Sequence, residues 1–302
     1  MADDVPFKKT MEFAYGEPRE MAPGIVRLVA NNPGPFTFKG TNTYLVGTGH
    51  SVMLIDPGPE DDAHFNAIMA ALGPRKLSHI VVTHTHRDHI DGLPRLAKAT
   101  GAPVAAYGRT ATATPGAKSP SGGEAFNGSF TPDIVLRDGD LVSGDGSALK
   151  CIFTPGHAPD HLCFELVGTK LVFSGDHVMS WNTSVVAPPE GHMGDYMRSL
   201  FRLLERQDEM FLPGHGGRFE QPQRLVKAFI IHRQMREQAI LDCIGNGHDT
   251  IDAIVPIVYR GLEPRLVNAA SLSVEAHVRH LQEQGRLQPL QHLERSTRLT
   301  RP

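Results

Sequence analysis

The sequence predicts a mixed α/β (α+β) fold followed by a smaller helical region. Short aliphatic runs alternate with helical periodicity up to about residue 220, and His or Asp side chains directly follow several of these runs. From Pro222 onward the periodicity becomes helical throughout. We therefore expect two domains, a larger one over residues 1–220 that carries these His and Asp side chains and a smaller helical one over residues 221–302.

The individual elements are predicted from the spacing of apolar residues and from Gly, Pro and Asn at the breaks. The predicted strands are 24–29, 43–46, 52–55, 78–82, 104–107, 149–153, 161–167, 170–173 and 210–212. The predicted helices are 61–72, 93–100, 195–206, 224–244, 250–259 and 264–284. Residues 108–132 contain few large apolar side chains, so we expect a long surface loop there, near the functional site.

Composition and charge exclude several classes of protein. Of the 302 residues 40% are hydrophobic and 21% are charged, and no run approaches the ~18 apolar residues of a membrane span. The first residues lack the apolar core of a signal peptide, and three scattered cysteines indicate no disulfide framework, so a reducing cytoplasm is the expected location. Residues 1–220 carry 19 basic and 25 acidic residues, which argues against a basic nucleic-acid-binding surface in this part. Residues 221–302 carry 11 basic and 8 acidic residues.

The most specific signal is the segment 83–92, Thr-His-Thr-His-Arg-Asp-His-Ile-Asp-Gly, directly after a predicted buried strand. In an extended chain alternate side chains point the same way, so His84 and His86 can bind one metal ion. Asp88 and His89 follow where the chain turns, and they can reach a second ion. A chance cluster is the alternative in a chain with 16 histidines, but four ligands in six positions make it a specific motif.

Three later segments also place a potential ligand directly after a predicted strand. These ligands are His157, Asp176 and His215. Imidazole and carboxylate groups suit Zn²⁺, with Mn²⁺ or iron as alternatives. Two divalent ions about 3.5–4 Å apart can share a water, lower its pKa to about 7 and present hydroxide as a nucleophile.

With these residues the chain resembles the metallo-β-lactamase-fold hydrolases, whose pattern His-x-His-x-Asp-His, His, Asp, His is matched at every position over about residues 20–220. The resemblance implies a four-layer αββα sandwich with the site at one edge, between the sheets. It implies a first metal held by His84, His86 and His157, a second held by Asp88, His89 and His215, and a bridge made by Asp176.

The resemblance also implies two supporting roles. Asp88 would orient the bridging hydroxide and pass a proton toward the leaving group. Asp56, in the turn Asp56-Pro57-Gly58, would support the metal loop from behind the ligands; an ordinary turn residue is the alternative. Four side chains of the loop after Asp176 are candidates for substrate contact, with packing as the alternative: His177, Trp181, Asn182 and His192.

A closer resemblance is carried by residues 32–37 (Asn-Pro-Gly-Pro-Phe-Thr), residues 40–47 (Gly-Thr-Asn-Thr-Tyr-Leu-Val-Gly) and the helical C-terminal region. These features are similar to those of the β-lactamase-like protein 2 subgroup, which carries a small winged-helix domain after the sandwich. That subgroup includes a mitochondrial endoribonuclease acting on single-stranded RNA. Such a winged helix can bind nucleic acid, cover the active-site edge or build a homodimer.

The predicted reaction is hydrolysis of a small ester, thioester, lactone or phosphodiester. One alternative is cleavage of single-stranded RNA, to which the C-terminal arginines would contribute: Arg260, Arg265, Arg279, Arg286, Arg295, Arg298 and Arg301. Another is a thioesterase like glyoxalase II, although the chain shows no Lys-rich C-terminal cluster. A third is a metal-stabilised nucleic-acid-binding protein without catalysis.

Overall fold

Two β-sheets form the centre of the computed structural model, which describes residues 5–108 and 131–302. The first sheet contains, in order across it, β1 (Arg19–Ala22), β2 (Ile25–Val29), β3 (Asn42–Val46), β4 (Ser51–Ile55), β5 (Lys76–Val81), β6 (Val104–Ala106) and β7 (Ile134–Val135). The second contains β13 (Phe219–Glu220), β12 (Met210–Pro213), β11 (Leu171–Gly175), β10 (Leu162–Leu166), β9 (Ala148–Phe153) and β8 (Leu141–Ser143). The predicted loop over 108–132 lies almost entirely outside the described residues.

The α-helices of the described residues cover the outer faces of both sheets and form the C-terminal region. They are α1 (Asp62–Leu72), α2 (Arg87–Ile90), α3 (Leu93–Thr100), α4 (Met193–Leu204), α5 (Pro222–Gly245), α6 (Ile251–Val258) and α7 (Val267–Glu283). None of the helices in the described ranges is both long enough and apolar enough to cross a lipid bilayer.

Strand β4 illustrates why the layers form. Its side chains alternate, so Met53 and Ile55 pack between the two sheets while Val52 and Leu54 pack beneath α1 and α3. Both faces are buried, which explains a continuous apolar strand. The second sheet is covered in the same way by α4 and the first half of α5. The predicted mixed α/β fold with four αββα layers is confirmed.

The C-terminal helices form their own apolar cluster, in which α5 takes part at one end. Phe229 and Ile230, in the first half of α5, pack in the core under the second sheet. Ile240 and Leu241, in its second half, pack with α6 and α7. Helix α5 therefore spans two cores. Thr250 caps α6, because its side chain accepts a hydrogen bond from the Ala253 backbone N–H.

The structure differs from the predicted elements mainly at their ends. Helix α4 begins at Met193, before the predicted Asp195, because the side chain of His192 caps it. The predicted helix over 264–284 begins as a 3₁₀ turn, Pro264–Leu266, and becomes α-helical at Val267. Four short strands were not predicted: β1, β7, β8 and β13. Runs of two to four residues are too short to display an alternating pattern.

Candidate metal centre

The seven predicted ligands meet at one edge of the two sheets. His84 follows β5, His157 follows β9, Asp176 follows β11 and His215 follows β12, while α2 carries Asp88 and His89. The sheets are joined at this edge, since Thr41 pairs with His215 and the Asn42 N–H donates to the Gly214 carbonyl at 2.7 Å. The strand ends therefore place all of these side chains in one volume.

The first ligand set consists of three imidazoles. The Nδ1 atom of His86 lies 2.9 Å from Nε2 of His84 and 3.0 Å from Nε2 of His157. One nitrogen of each ring thus points at the other two, and the three rings could hold a metal ion together.

The second set contains a carboxylate. Oδ2 of Asp88 lies 3.1 Å from Nε2 of His215 and 3.4 Å from Nε2 of His89. These three groups could hold another ion.

Asp176 lies between the two sets. Its Oδ1 atom is 3.5 Å from Nε2 of His89, and its Oδ2 atom is 3.2 Å from Nε2 of His215 and 3.8 Å from Nε2 of His157. The His89 Nε2 and Asp176 Oδ1 atoms are buried and have no hydrogen-bond partner among the described residues. Buried polar atoms without partners are rare, so this donor set fits bound metal ions.

Four of the histidines have their other ring nitrogen fixed by a neighbour. Nδ1 of His84 lies 3.0 Å from the Thr83 hydroxyl, and Nδ1 of His157 lies 2.6 Å from the Val185 carbonyl. Nδ1 of His215 similarly lies 3.2 Å from the carbonyl of Gly40, and the fourth ring, His89, contacts Asp56. Such contacts fix ring orientation and leave the opposite nitrogen for a metal.

Asp56 supports both ligand sets, in the position proposed for it. Its Oδ2 atom lies 2.8 Å from Nδ1 of His89 and accepts a hydrogen bond of 2.7 Å from the Thr83 hydroxyl. The same hydroxyl contacts His84, so one carboxylate reaches a ligand of each set. Asp56 has a φ of +53°, in the left-handed region that Asp tolerates better than most residues.

The pKa of a histidine is shifted in opposite directions in the two ligand sets. Burial, reinforced by the charge of His86, lowers the pKa of His157 to about 4. Burial would also lower the pKa of His215, but the charge of Asp176 and its hydrogen bond outweigh this effect and raise the pKa to about 9. For Asp88, burial favours the neutral acid, yet the charge of His89 and the hydrogen bond from His215 lower its pKa below the usual range. Asp88 is therefore ionised at neutral pH.

Two of the proposed substrate contacts, His177 and His192, make contacts within the protein. His177 is fully buried behind the ligands, where its ring packs against His161 and Tyr196, so it does not face an open pocket. His192 caps α4, and its Nε2 atom lies 2.8 Å from Glu283 of α7. Its position joins α4 to the C-terminal helices.

The other two lie toward the surface. Trp181 stacks on Phe38 with ring centroids 4.9 Å apart, and it packs so close to Gly216 that a Cβ atom there would lie 2.9 Å from its Cδ1 atom. Trp181 thus lies next to the ligand His215. The side chain of Asn182 is exposed and accepts a hydrogen bond of 2.9 Å from the Thr183 N–H.

Sequence reasoning missed several residues that hold the ligands in place. His161 is fully buried, and its Nε2 atom accepts a hydrogen bond of 3.1 Å from the Asp176 N–H. The Thr41 hydroxyl donates to Asp88 at 3.2 Å. Glu190 lies 3.5 Å from Nε2 of His86. His161 had one usable signal, its place four residues after His157, but the other contacts depend on distant segments meeting.

Comparison with known proteins gives matches over both parts of the chain. Residues 36–215 match the Metallo-beta-lactamase superfamily, and residues 250–292 match the Beta-lactamase associated winged helix domain. These matches confirm the two resemblances predicted from the sequence.

Two curated relatives bear on function. The chain is 32% identical over 232 residues to the Atrochrysone carboxyl ACP thioesterase of Aspergillus fumigatus, a match that covers 75% of this chain and 66% of that protein. It is 30% identical over 277 residues to the Beta-lactamase-like protein 2 homolog of Drosophila melanogaster, covering 87% of this chain and 89% of that protein. The chain therefore spans just under two thirds of the length of the fungal thioesterase.

A solved structure supports the fold. A metallo-beta-lactamase family protein from Thermus thermophilus superimposes with a TM-score of 0.76 at 24% identity, over 94% of this chain and 100% of that one. At this identity the likeness shows the fold alone.

Proposed function

The chain belongs to the metallo-beta-lactamase superfamily of hydrolases, and from this membership we propose that it is a dinuclear metal-dependent thioesterase acting on a small acyl thioester. The observation that carries the proposal is the position of Asp176 between two complete three-ligand sets.

We assign one ion to His84, His86 and His157, and the other to Asp88, His89 and His215, with Asp176 shared. The donors are all imidazole or carboxylate groups, which favours Zn²⁺, with Mn²⁺ or iron as alternatives. Two such ions, when bound, supply an activated water and polarise the carbonyl of the substrate.

Asp88 is the proposed catalytic residue among the chain's own groups. It is ionised at neutral pH and its Oδ2 atom is fixed by the Thr41 hydroxyl at 3.2 Å. Such a carboxylate can accept a proton from the attacking water. In thioester hydrolysis the new C–O bond forms as the C–S bond breaks, and the proton passes to the departing sulfur.

The surroundings of the site favour an acyl substrate over RNA. The stacked pair of Phe38 and Trp181 offers an apolar surface beside His215, on which an acyl group can pack. The thioesterase among the relatives supports the same substrate class.

The C-terminal arginines, in contrast, are mostly bonded within their own region. Three form ion pairs with neighbouring carboxylates: Arg265 with Glu263, Arg279 with Glu275 and Arg298 with Asp249. Arg295 donates a hydrogen bond to the side chain of Asn268, and Arg301 donates one to the Leu241 carbonyl. A surface that binds phosphates through counterion release needs unpaired cations, so these contacts count against RNA as the substrate.

Metal analysis of the purified chain, combined with a substrate panel, tests the proposal. We expect about two metal ions per chain and the highest kcat/KM on acyl-N-acetylcysteamine thioesters, compared with lactones, bis(p-nitrophenyl) phosphate and single-stranded RNA. The Asp176→Asn variant serves as the inactive control. Cleavage of RNA without thioester turnover would replace the thioesterase with a nuclease, and one ion or none would contradict the dinuclear site.

A further inference from the structure

Arg233 of α5 is a buried cation beneath the metal centre. Its side chain belongs to the helical C-terminal region, yet only 3% of the residue is exposed. Within residues 5–108 and 131–302 it forms no ion pair with a carboxylate. Burying a charge without an ionic partner is costly, so its other contacts need an explanation.

The guanidinium contacts the segment that follows Asp176. Its Nη2 atom donates a hydrogen bond to the carbonyl of Ser184. The guanidinium also lies 5.2 Å from the ring centroid of Tyr196, whose hydroxyl donates to the His177 carbonyl at 2.9 Å. Arg233 therefore reaches this segment both directly and through Tyr196.

This segment, residues 176–185, determines the position of two ligands. The Ser184 hydroxyl donates to the backbone carbonyls of Asp176 and His177, closing the segment on itself. The next residue, Val185, accepts the hydrogen bond from Nδ1 of His157 at 2.6 Å. Movement of Ser184 would therefore turn the His157 ring and displace Asp176.

We propose that Arg233 is a positioning residue that holds segment 176–185 so that His157 and Asp176 face the metal ions. The inference rests on the proposed dinuclear site and extends it, because it makes a residue of the C-terminal helices part of the metal-binding machinery. The first ligand set depends most on Arg233. Among the described residues, the Nδ1 atom of His157 contacts only the Val185 carbonyl.

The chain supplies a matched control in Arg236, one turn further along α5. Its Nη1 atom donates to the carbonyl of Val258 at 2.7 Å, and its guanidinium lies 4.5 Å from the ring centroid of Tyr259. Arg236 thus combines a carbonyl contact and a tyrosine contact as Arg233 does, but it directs them toward α6, away from the metal centre.

The test compares Zn²⁺ binding by the wild-type chain, Arg233→Met and Arg236→Met, using competition with a chromophoric chelator to resolve two binding steps. Loss of a contact behind a metal ligand typically weakens metal affinity roughly 10–100-fold. We expect this loss for one of the two steps in Arg233→Met, and wild-type affinity for both steps in Arg236→Met. Melting temperatures of the metal-free proteins report any general destabilisation of either variant.

Each result decides the question. Equal Zn²⁺ affinities in Arg233→Met and wild type, or equal losses in both variants, would overturn the positioning role while leaving the dinuclear site intact. A wild-type chain that binds no Zn²⁺ would remove the proposed function and this inference together. If Arg233→Met does not fold, Arg233→Leu takes its place, because leucine also lacks a hydrogen-bond donor for the Ser184 carbonyl; unchanged affinity in that variant would overturn the role.

Discussion

The two ligand sets of the metal centre lie side by side but differ in charge. In the first set a hydroxyl contacts the ring of His84 and a carbonyl contacts the ring of His157, and burial keeps the pKa of His157 low, at about 4. In the second set His89 and His215 are surrounded by carboxylates, and the pKa of His215 rises to about 9. The two ligand sets therefore differ in what metal binding would require: His157 is ready to bind at neutral pH, whereas His215 must first release a proton.

Removing the shared ligand should have the largest effect, because it disrupts both sets at once. We expect Asp176→Ala to lower kcat/KM for the thioester by about 1000-fold or more, since charge stabilisation by metal ions is worth several kcal/mol. Metal analysis should show loss of bound ions from both sets. Retention of two tightly bound ions in this variant would place Asp176 outside the bridge.

Single-ligand variants separate the sets. His86→Ala should retain one ion, in the second set, and His215→Ala should retain one ion, in the first set, each with activity reduced roughly 100-fold. Between pH 9 and pH 6, Zn²⁺ affinity should fall steeply in His86→Ala because protons compete for His215. The fall should be smaller in His215→Ala, because protons do not compete for His157 in this range. His50→Ala, at an exposed histidine, is the control. Identical pH profiles for the two ligand variants would contradict the electrostatic difference.

Asp56→Asn tests the residue that supports both sets. Asparagine tolerates the left-handed φ of +53°, so the backbone should be preserved while the charge behind His89 is lost. We expect metal affinity to fall roughly 10–100-fold. The second set should lose more, because Asp56 contacts His89 directly but reaches His84 only through Thr83. A greater loss in the first set would mean that the Thr83 relay is the stronger contact.

The smallest expected effect is the number of protons that each ligand set releases when it binds Zn²⁺. At pH 7.5 Zn²⁺ should displace about one proton or more from the second set, because the raised pKa of His215, about 9, favours its protonated form in the metal-free protein. It should displace none from His157, whose pKa is about 4. Calorimetric titration in buffers of different ionisation enthalpy measures both steps. In the metal-free protein, the raised pKa of His215 stabilises the fold below the unfolded value of about 6.5, and this contribution is lost as the pH rises through about 9. Absence of proton release in both steps would show that His215 is neutral.

The sequence predicts the parts of the centre that depend on local spacing. His84 and His86 are two residues apart after a strand, and His157 and His215 follow Pro-Gly turns, so a single chain segment identifies each of them. The contacts that orient these rings could not be predicted in the same way. The carbonyl of Val185 and that of Gly40 carry no side-chain signal, and each meets its histidine only when segments distant in the sequence have folded together.

The layers of the fold, too, could be predicted where they depend on local spacing in the sequence. Alternating or continuous apolar runs were sufficient to predict β4 and the helices that cover it, because burial on both faces leaves a strong pattern. The contacts of His177 and His192 could not be predicted, because a histidine in a loop looks the same in sequence whether it packs, caps a helix or contacts a ligand. Distinguishing these roles requires the position of α4 and α7.

Helix α5 contributes one end to the core beneath the second sheet and the other end to the core of the C-terminal helices. The predicted domain boundary at residue 220 therefore precedes a helix that packs in both cores. We therefore expect metal binding at the proposed centre to be thermodynamically linked to order in the C-terminal helices. A ligand that binds only the folded state raises its stability in proportion to the logarithm of its concentration, and through α5 that gain extends to helices that contain no metal ligand.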